Sequence, residues 1–294
     1  MSADNDPIGF TTHSSPRLWV LLARAAPIGV IFRRGPSKQV LLIKWNTRKD
    51  TFEIGQWFKG RVYERRCDVS PSGEFLIYFA AKQKPPMYSW SAISKPPYFT
   101  ALALWPKGDC WNGGGWFIED RKVRLNHSPL EAKLHPDFHL GRIKVVGYAE
   151  FGGEDATVWD IVRKRDGWVE AAEGKSIDRG GVRGWDFDPP QIWRRAHPKK
   201  ANLCLEMAIT GIGGKNVPWY QINYRVLAGD DTLIDLGRSD WVEWDHRGQL
   251  VYAKRGCLFR QNVANSSLEV AKQIADFNKL SFEETPPPSK ALRW

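Results

Sequence analysis

The sequence predicts an all-β fold, and three observations lead to this prediction. Short apolar runs follow one another from residue 17 to residue 262, and each is bounded by Pro, Gly, Ser, Asn or Asp. The chain contains 15 Trp, and aromatic side chains suit the half-buried surface of a strand. No stretch before residue 266 combines the length of a long helix with an apolar repeat of 3.6 residues.

The predicted strands begin after a flexible polar leader, residues 1–16, which lacks the features of a signal peptide. In the first half of the chain the strands are RLWVLLA (17–23), PIGVIFRR (27–34), QVLLIKW (39–45), TFEIGQW (51–57), FLIYFAA (75–81), YSWSAIS (88–94), YFTALALW (98–105), WFIED (116–120) and KVRLN (122–126). In the second half they are RIKVVGYAEF (142–151), TVWDIVRK (157–164), WVEAA (168–172), LCLEMAIT (203–210), WYQINYRVL (219–227), TLIDLG (232–237), WVEW (241–244), QLVYA (249–253) and CLFRQ (257–261). Tight turns are expected between them.

The C-terminal segment, residues 263–294, has a different pattern. Ser266 precedes Glu269 by three residues, which is the spacing of a capping box, and Leu268, Ala271 and Ala275 recur at helical spacing. We therefore predict a short amphipathic helix over 265–280. The Pro-rich tail FEETPPPSKALRW cannot continue a helix. It is either an unstructured end or an extended segment that packs across the fold or docks a partner.

One sequence motif occurs twice. RCDVSPSGEFLIY (66–78) and WDHRGQLVY (244–252) both place an Asp before a turn that ends in Gly and an apolar run that reaches Tyr. The first copy, with Asp68, Ser70, Pro71 and Gly73, resembles the blade motif of WD40-like and TolB-like β-propellers. The resemblance implies a β-propeller over 17–262. Asp68, Gly73, Asp245 and Gly248 would then shape tight turns, because Asp binds nearby backbone and Gly tolerates positive φ.

The spacing of the two copies predicts the number of blades. Asp68 and Asp245 lie 177 residues apart, and a blade occupies about 40–50 residues. Five blades result, with six as the alternative. The last blade has only three predicted strands, WVEW, QLVYA and CLFRQ. We expect RLWVLLA near the N-terminus to supply the fourth, since closing the ring in this way removes open sheet edges.

Charge and composition limit the classes of partner that suit this protein. The net charge of +10 suits an acidic partner, such as nucleic acid, an anionic membrane or an acidic protein, or simply gives a basic surface. The run LWVLLARAAPIGVIF (18–32) is interrupted by Arg24 and Pro27, so it is too short to span a bilayer. The four Cys are widely spaced and indicate no disulfide framework. We expect a cytoplasmic protein that does not bind membranes.

No motif for catalysis, metal binding or a cofactor stands out. His127, His135 and His139 share a stretch that is better interpreted as a connecting loop than as a metal site. TGIGGK (210–215) lacks the full phosphate-loop pattern, and no G-x-S-x-G occurs. We therefore expect no cofactor.

Two loops carry the candidate binding residues. They lie in KGDCWNGGGW (107–116) and in the Gly- and Pro-rich segment 178–200, and they are Trp111, Trp116, Arg183, Trp185, Trp193, Arg194 and Arg195. Trp and Arg are enriched at binding hot spots, and long loops on a rigid scaffold often carry function. The alternative is that these Trp side chains only pack between blades.

These observations favour a non-catalytic binding module, a scaffold for protein–protein interaction inside a larger complex. Two alternatives stay open. One is a propeller enzyme, a hydrolase or lyase with its site in the axial channel. The other is a nucleic-acid-binding propeller that uses the basic surface and aromatic stacking.

Overall fold

The computed structural model describes residues 15–35, 38–149, 155–178, 184–214, 217–263 and 269–294. These residues form strands in five sheets and one α-helix. The prediction of a mostly β chain is confirmed. Most of the sheets are antiparallel meanders, because consecutive strands are joined by short turns and pair with their neighbours in the chain.

The first two sheets are built from the first third of the chain. The first sheet consists of β1 (Arg17–Leu22), β2 (Ile28–Arg34), β3 (Gln39–Asn46) and β4 (Thr51–Lys59). The second consists of β5 (Arg61–Val62), β6 (Asp68–Val69), β7 (Leu76–Ala81), β8 (Ser89–Ser94) and β9 (Ala103–Lys107). A 3-10 helix, Glu64–Arg66, lies between β5 and β6, and both of these short strands pair with β7.

The other three sheets follow in order. The third consists of β10 (Gly115–Glu119), β11 (Lys122–Leu125) and β12 (Lys144–Tyr148), and β12 runs parallel to β11. After α1 (Asp155–Arg165), the fourth consists of β13 (Trp168–Ala172), β14 (Ser176–Asp178), β15 (Gly184–Ala196), β16 (Leu203–Gly213), β17 (Tyr220–Ala228) and β18 (Asp231–Arg238). The fifth consists of β19 (Trp241–Trp244), β20 (Leu250–Lys254), β21 (Cys257–Gln261) and β22 (Lys272–Asp276).

Strands near the start of each sheet connect one sheet to the next. β1 contacts β19 and β20 of the fifth sheet and β6 of the second, and β6 contacts β10 of the third. α1 contacts β10, β13 and the Glu64–Arg66 turn. Large buried side chains, among them Trp45, Trp193 and Trp244, fill the interior. Apolar burial of this kind is the main force that holds the sheets together.

The predicted role of the N-terminal strand is wrong. RLWVLLA does not complete the last sheet, because β1 pairs with β2, with Trp19 opposite Phe32. The fourth strand of the fifth sheet is Lys272–Asp276, which pairs with β21 through Leu258 and Ala275. The nearest segment in the chain thus pairs with this edge, and the backbone groups of β21 find partners without the distant N-terminus.

The helix predicted over 265–280 is also wrong in its described part. Lys272–Asp276 is a strand, and Val270, within the predicted helix, is 94% exposed. Pairing with the edge of β21 supplies backbone hydrogen bonds that outweigh the weak helical pattern. The capping residue Ser266 lies outside the described residues.

The segment TVWDIVRK, predicted to be a strand, belongs to the helix α1. Its buried residues are Val158, Trp159 and Arg163. Trp159 and Arg163 are four residues apart, so they lie on one face of the helix, and the Arg163 guanidinium lies 4.4 Å from the Trp159 ring centroid. Gly167, with φ +93°, follows the last turn and suits a helix C-terminus.

The Pro-rich tail packs across the fold, extended as far as Pro288 and then forming a 3-10 helix, Ser289–Ala291. Phe282 contacts Trp57 of β4, with 5.9 Å between ring centroids, and Lys290 binds Glu53 of the same strand at 2.8 Å. The ring of the final residue, Trp294, lies 5.8 Å from that of Phe75, which directly precedes β7. The tail therefore links β4 to the start of β7. In the described parts of the chain, no helix has both the length and the apolar character needed to cross a bilayer.

Candidate ligand-binding site

A cavity of about 910 Å³ opens beside the N-terminal end of β1. Residues 15–19, 61–66, 217–222, 238–240 and 254–255 form most of its wall, so four of the five sheets contribute to it. We call it the basic cavity. Its size falls within the range of about 300–1,000 Å³ that is typical of small-molecule sites.

The wall of this cavity carries an excess of positive charge. Three acidic side chains line it: Glu64, Asp155 and Asp240. Eight basic side chains line it: Arg17, Arg34, Arg61, Arg65, Arg66, Arg238, Lys254 and Arg255. A concave wall with one dominant sign of charge concentrates ligands of the opposite sign.

Two of the acids are held in ion pairs. Glu64 binds Arg34, and its Oε1 lies 3.2 Å from Arg65 Nη1. Burial by itself raises the pKa of Glu64, but the attraction of Arg34 and Arg65 outweighs it, and the pKa lies below its usual value. Asp155 Oδ1 accepts a hydrogen bond from Arg66 Nε at 2.6 Å. Both carboxylates therefore position arginines.

The third acid differs. Asp240 Oδ2 accepts a hydrogen bond from the backbone N–H of Leu18 at 3.2 Å. Burial raises the pKa of Asp240 to about 6, although this hydrogen bond and the nearby Arg17 lower it in part. Burial thus moves the pKa of Asp240 towards neutral pH.

Five of the basic side chains have no carboxylate within 4.0 Å in the described part of the chain; they are Arg17, Arg61, Arg238, Lys254 and Arg255. Arg238 donates to Gln221 Oε1 at 3.2 Å, and Lys254 donates to the Leu236 carbonyl at 3.0 Å. Neutral acceptors leave the positive charge uncompensated. The net charge of the wall is therefore available to an anion.

Arg65 is held in an aromatic clamp formed by Trp19, Trp159 and Tyr220. Its guanidinium carbon lies 4.3, 4.7 and 4.2 Å from the three ring centroids, respectively. Its Nε is buried without a hydrogen-bond partner among the described residues. Stacking on three rings fixes the cation before any ligand arrives, so little side-chain entropy is lost on binding.

Two of the sequence-predicted residues are exposed near this cavity, and neither is part of its wall. Trp111, with 63% of its surface exposed, follows Cys110, which is part of the wall. Trp185, 52% exposed, is opposite Ile212, and Ile212 is opposite Tyr220 of the clamp. Opposite residues share a sheet face, so Trp185 lies about 10 Å from Tyr220 on the same face.

The other predicted residues lie elsewhere. Trp116 and Trp193 are buried, as the packing alternative requires, and the Arg163 guanidinium lies 3.4 Å from the Trp193 ring centroid. Arg194 binds Glu206 at 2.9 Å outside the basic cavity. Arg195 pairs with Glu243 in a second cavity of about 460 Å³. Arg183 lies outside the described residues.

The turns of the two motif copies, which begin at Asp68 and Asp245, differ in their hydrogen bonds. Asp245 Oδ1 accepts hydrogen bonds from Arg247 N at 2.8 Å and Gln249 N at 2.9 Å, and Gly248 has φ +77°, so this Asp closes its own turn. Gly73 likewise has φ +74°. Asp68, however, accepts from Phe117 N at 2.8 Å, and it joins the second sheet to the third. The predicted turn role of Asp68 thus needs correction, because burial directs its carboxylate to partners in other elements.

The cavity arginines were not singled out from the sequence. Arg17 begins β1, Arg61 begins β5 and Arg238 ends β18, so each stands at the boundary of a strand. That position is a weak signal, because charged residues are common where strands reach solvent.

The histidines form no metal centre in the described ranges, where no group of three His, Cys, Asp or Glu is placed to hold an ion. His127 is buried, and its Nε2 lies 2.7 Å from Ser91 Oγ. Burial lowers the pKa of His127 to about 4, with a smaller effect from Lys107. It is therefore a neutral core residue.

Comparison with known proteins gives no family. No model of a protein family matches the chain. No curated protein matches it in sequence.

Proposed function

We propose that the protein is a five-bladed β-propeller of the WD40-like or TolB-like kind and acts as a non-catalytic binding module for a protein partner. The five sheets follow one another in the chain. Their strands contact one another in series: β19 contacts β1, β1 contacts β6, and β6 contacts β10. In a propeller the first strands of the blades surround the axis. The basic cavity, which lies beside β1, is then the axial binding site.

The observation that carries this proposal is the combination of clamped Arg65 with two exposed Trp side chains near the cavity, Trp111 next to the wall residue Cys110 and Trp185 two strands from Tyr220. Trp and Arg are the residues most often found at hot spots. Exposed tryptophans cost free energy in water, and Trp111 and Trp185 are each more than half exposed. A partner that covers both rings and places an acidic group in the cavity would use all of these features.

Two of the three cavity carboxylates are poorly placed for hydrolysis or lyase chemistry, and the third, Asp240, accepts the Leu18 N–H at 3.2 Å. A general base must be free to accept a proton from its substrate. Glu64 and Asp155 are already bound to arginines at 3.2 Å or less. Their charges hold the cation array in place and are poorly suited to proton transfer.

Partner capture from lysate of the source cells tests the proposal. Full-length protein carrying both Trp111→Ala and Trp185→Ala should lose the partner that the wild-type protein retains, with an unchanged melting temperature. Val270→Ala is the matched control, since Val270 is 94% exposed and is not part of the cavity wall. Equal capture by the double variant and the wild type would refute the assignment of this face.

A further inference from the structure

We propose that the basic cavity binds a phosphate monoester group, carried by a phosphorylated side chain of the protein partner or by a small phosphorylated molecule. This inference rests on the proposed function and names the chemistry of its site. The charge of the wall, the fixed orientation of Arg65 and the size of the cavity support it.

Charge favours a phosphate over a single carboxylate. A phosphate monoester carries about −1.5 to −2 charges at pH 7 and has three strong acceptor oxygens. The wall offers Arg17, Arg61, Arg238, Lys254 and Arg255 without carboxylate partners among the described residues. A single carboxylate would satisfy one guanidinium fork and leave the remaining cations close together and unpaired.

Arg65 is suited to be the anchor. Glu64 lies 3.2 Å from Arg65 Nη1 and holds one side of the guanidinium, while Trp19 and Tyr220 cover its plane at 4.3 and 4.2 Å. Nε is buried and has no acceptor among the described residues. A phosphate would therefore meet the Arg65 guanidinium through the part that lines the cavity and not through this buried Nε.

The shape of the cavity argues against a nucleic-acid strand. Trp19 lines both cavities, and Trp159, which meets Trp19 edge to face with ring centroids 6.2 Å apart, lines the second one. Trp19 therefore lies between the two cavities. Single-strand binding needs an open basic groove that follows the backbone over several nucleotides. A cavity of about 910 Å³ whose wall comes from four sheets instead suits one terminal group.

Binding measurements with defined probes test this inference. The probes are phenyl phosphate, a peptide with one phosphoserine, the same peptide with Ser or Glu at that position, and a single-stranded oligonucleotide with no terminal phosphate. Binding to the full-length protein is followed by calorimetry for phenyl phosphate and by fluorescence anisotropy for the labelled chains. We expect at least one phosphomonoester probe to bind about tenfold or more tightly than its unphosphorylated counterpart.

Variants locate the binding. The affinity for the phosphorylated probe should fall about tenfold in Arg238→Gln and in Arg255→Gln, and it should fall further in Arg65→Met. Arg247→Gln is the matched control, because Arg247 is exposed and is not part of the basic cavity. Near-ultraviolet circular dichroism shows whether each variant is folded. If Arg65→Met does not fold, Arg238→Gln and Arg255→Gln decide the result.

The outcomes separate the two proposals. Equal affinity for phosphorylated and unphosphorylated probes, or unchanged affinity in the folded cavity variants, overturns the phosphate inference. Tighter binding of the oligonucleotide than of either phosphorylated probe also overturns it, in favour of nucleic acid. If the phosphate probes fail while the double Trp variant still loses its partner, the proposed function stands alone. If phenyl phosphate binds more tightly than the phosphopeptide, the phosphate group comes from a small molecule. If the phosphopeptide binds more tightly, it comes from the protein partner.

Discussion

Asp68 and Arg165 form a two-pronged ion pair, with Asp68 Oδ2 2.6 Å from Arg165 Nη1 and Asp68 Oδ1 3.0 Å from Arg165 Nη2. Asp68 lies in the second sheet, and Arg165 is the last residue of α1. The same carboxylate accepts the backbone N–H of Phe117 in the third sheet. One buried side chain thus holds three elements together.

Asp68→Ala should lower the free energy of unfolding by about 3–5 kcal/mol, because it leaves the Arg165 charge without its main partner in a buried site. Urea unfolding monitored by Trp fluorescence measures the change. Asp137→Ala is the control, since the side chain of Asp137 is 82% exposed and should change stability by less than about 0.5 kcal/mol. A similar small effect for both variants would contradict the structural role of Asp68.

Trp19→Leu should weaken both stability and ligand binding. Trp19 is 8% exposed and contacts Trp159 and the Arg65 guanidinium, so the smaller side chain leaves a cavity and loosens the clamp. We expect a loss of about 2–4 kcal/mol in unfolding free energy and weaker binding of phenyl phosphate. Urea unfolding and calorimetry measure the two effects. Trp111→Leu, at an exposed position, should leave stability nearly unchanged.

Stability should depend on pH through Asp240. Its pKa is about 6 in the folded protein, against an ordinary value of 3.8. Between these values the folded protein retains a proton that the unfolded chain has released. The contribution of Asp240 to the unfolding free energy is therefore most favourable below pH 3.8. It falls as the pH rises to about 6 and is constant above that.

Asp240→Asn tests this sign, because the amide oxygen can still accept the Leu18 N–H while the charge is removed. The difference in stability between variant and wild type should shift in favour of the variant as the pH rises from 4 to 6. Melting temperatures across this range measure it. A difference that does not vary with pH would show that Asp240 titrates normally.

The C-terminal residue should contribute to stability. Trp294 packs on Phe75, and its Nε1 donates to the His139 carbonyl at 3.1 Å. Trp294→Ala should lower the melting temperature by about 2–8 °C, as expected for a loss of about 1–2 kcal/mol in a protein of this size. Differential scanning calorimetry measures the shift. Leu130→Ala, at a position 84% exposed, should shift it by far less.

Gly141 gives an independent check of the same contact. Its φ is +55°, and a Cβ atom there would lie 2.5 Å from the Trp294 ring. Gly141→Ala should therefore lower the melting temperature as well. The double variant Gly141→Ala/Trp294→Ala should lower the melting temperature by less than the sum of the two single decreases, because both substitutions act on one contact. Full additivity in calorimetry would contradict the packing of the tail on this loop.

The local sequence of this protein determined its strands and tight turns. Alternating apolar residues and glycines at 73 and 248 act over a few positions, so the β class and the turn at Asp245 could be predicted without knowing the rest of the chain. The tertiary structure decided which segments pair and where charges meet. Lys272–Asp276 is a strand because it pairs with the edge of β21. Asp68 does not close its own turn and instead binds Arg165, which is 97 residues away. Arg17, Arg65 and Arg238 came together because three sheets meet at one place, and such a meeting depends on contacts far apart in the chain.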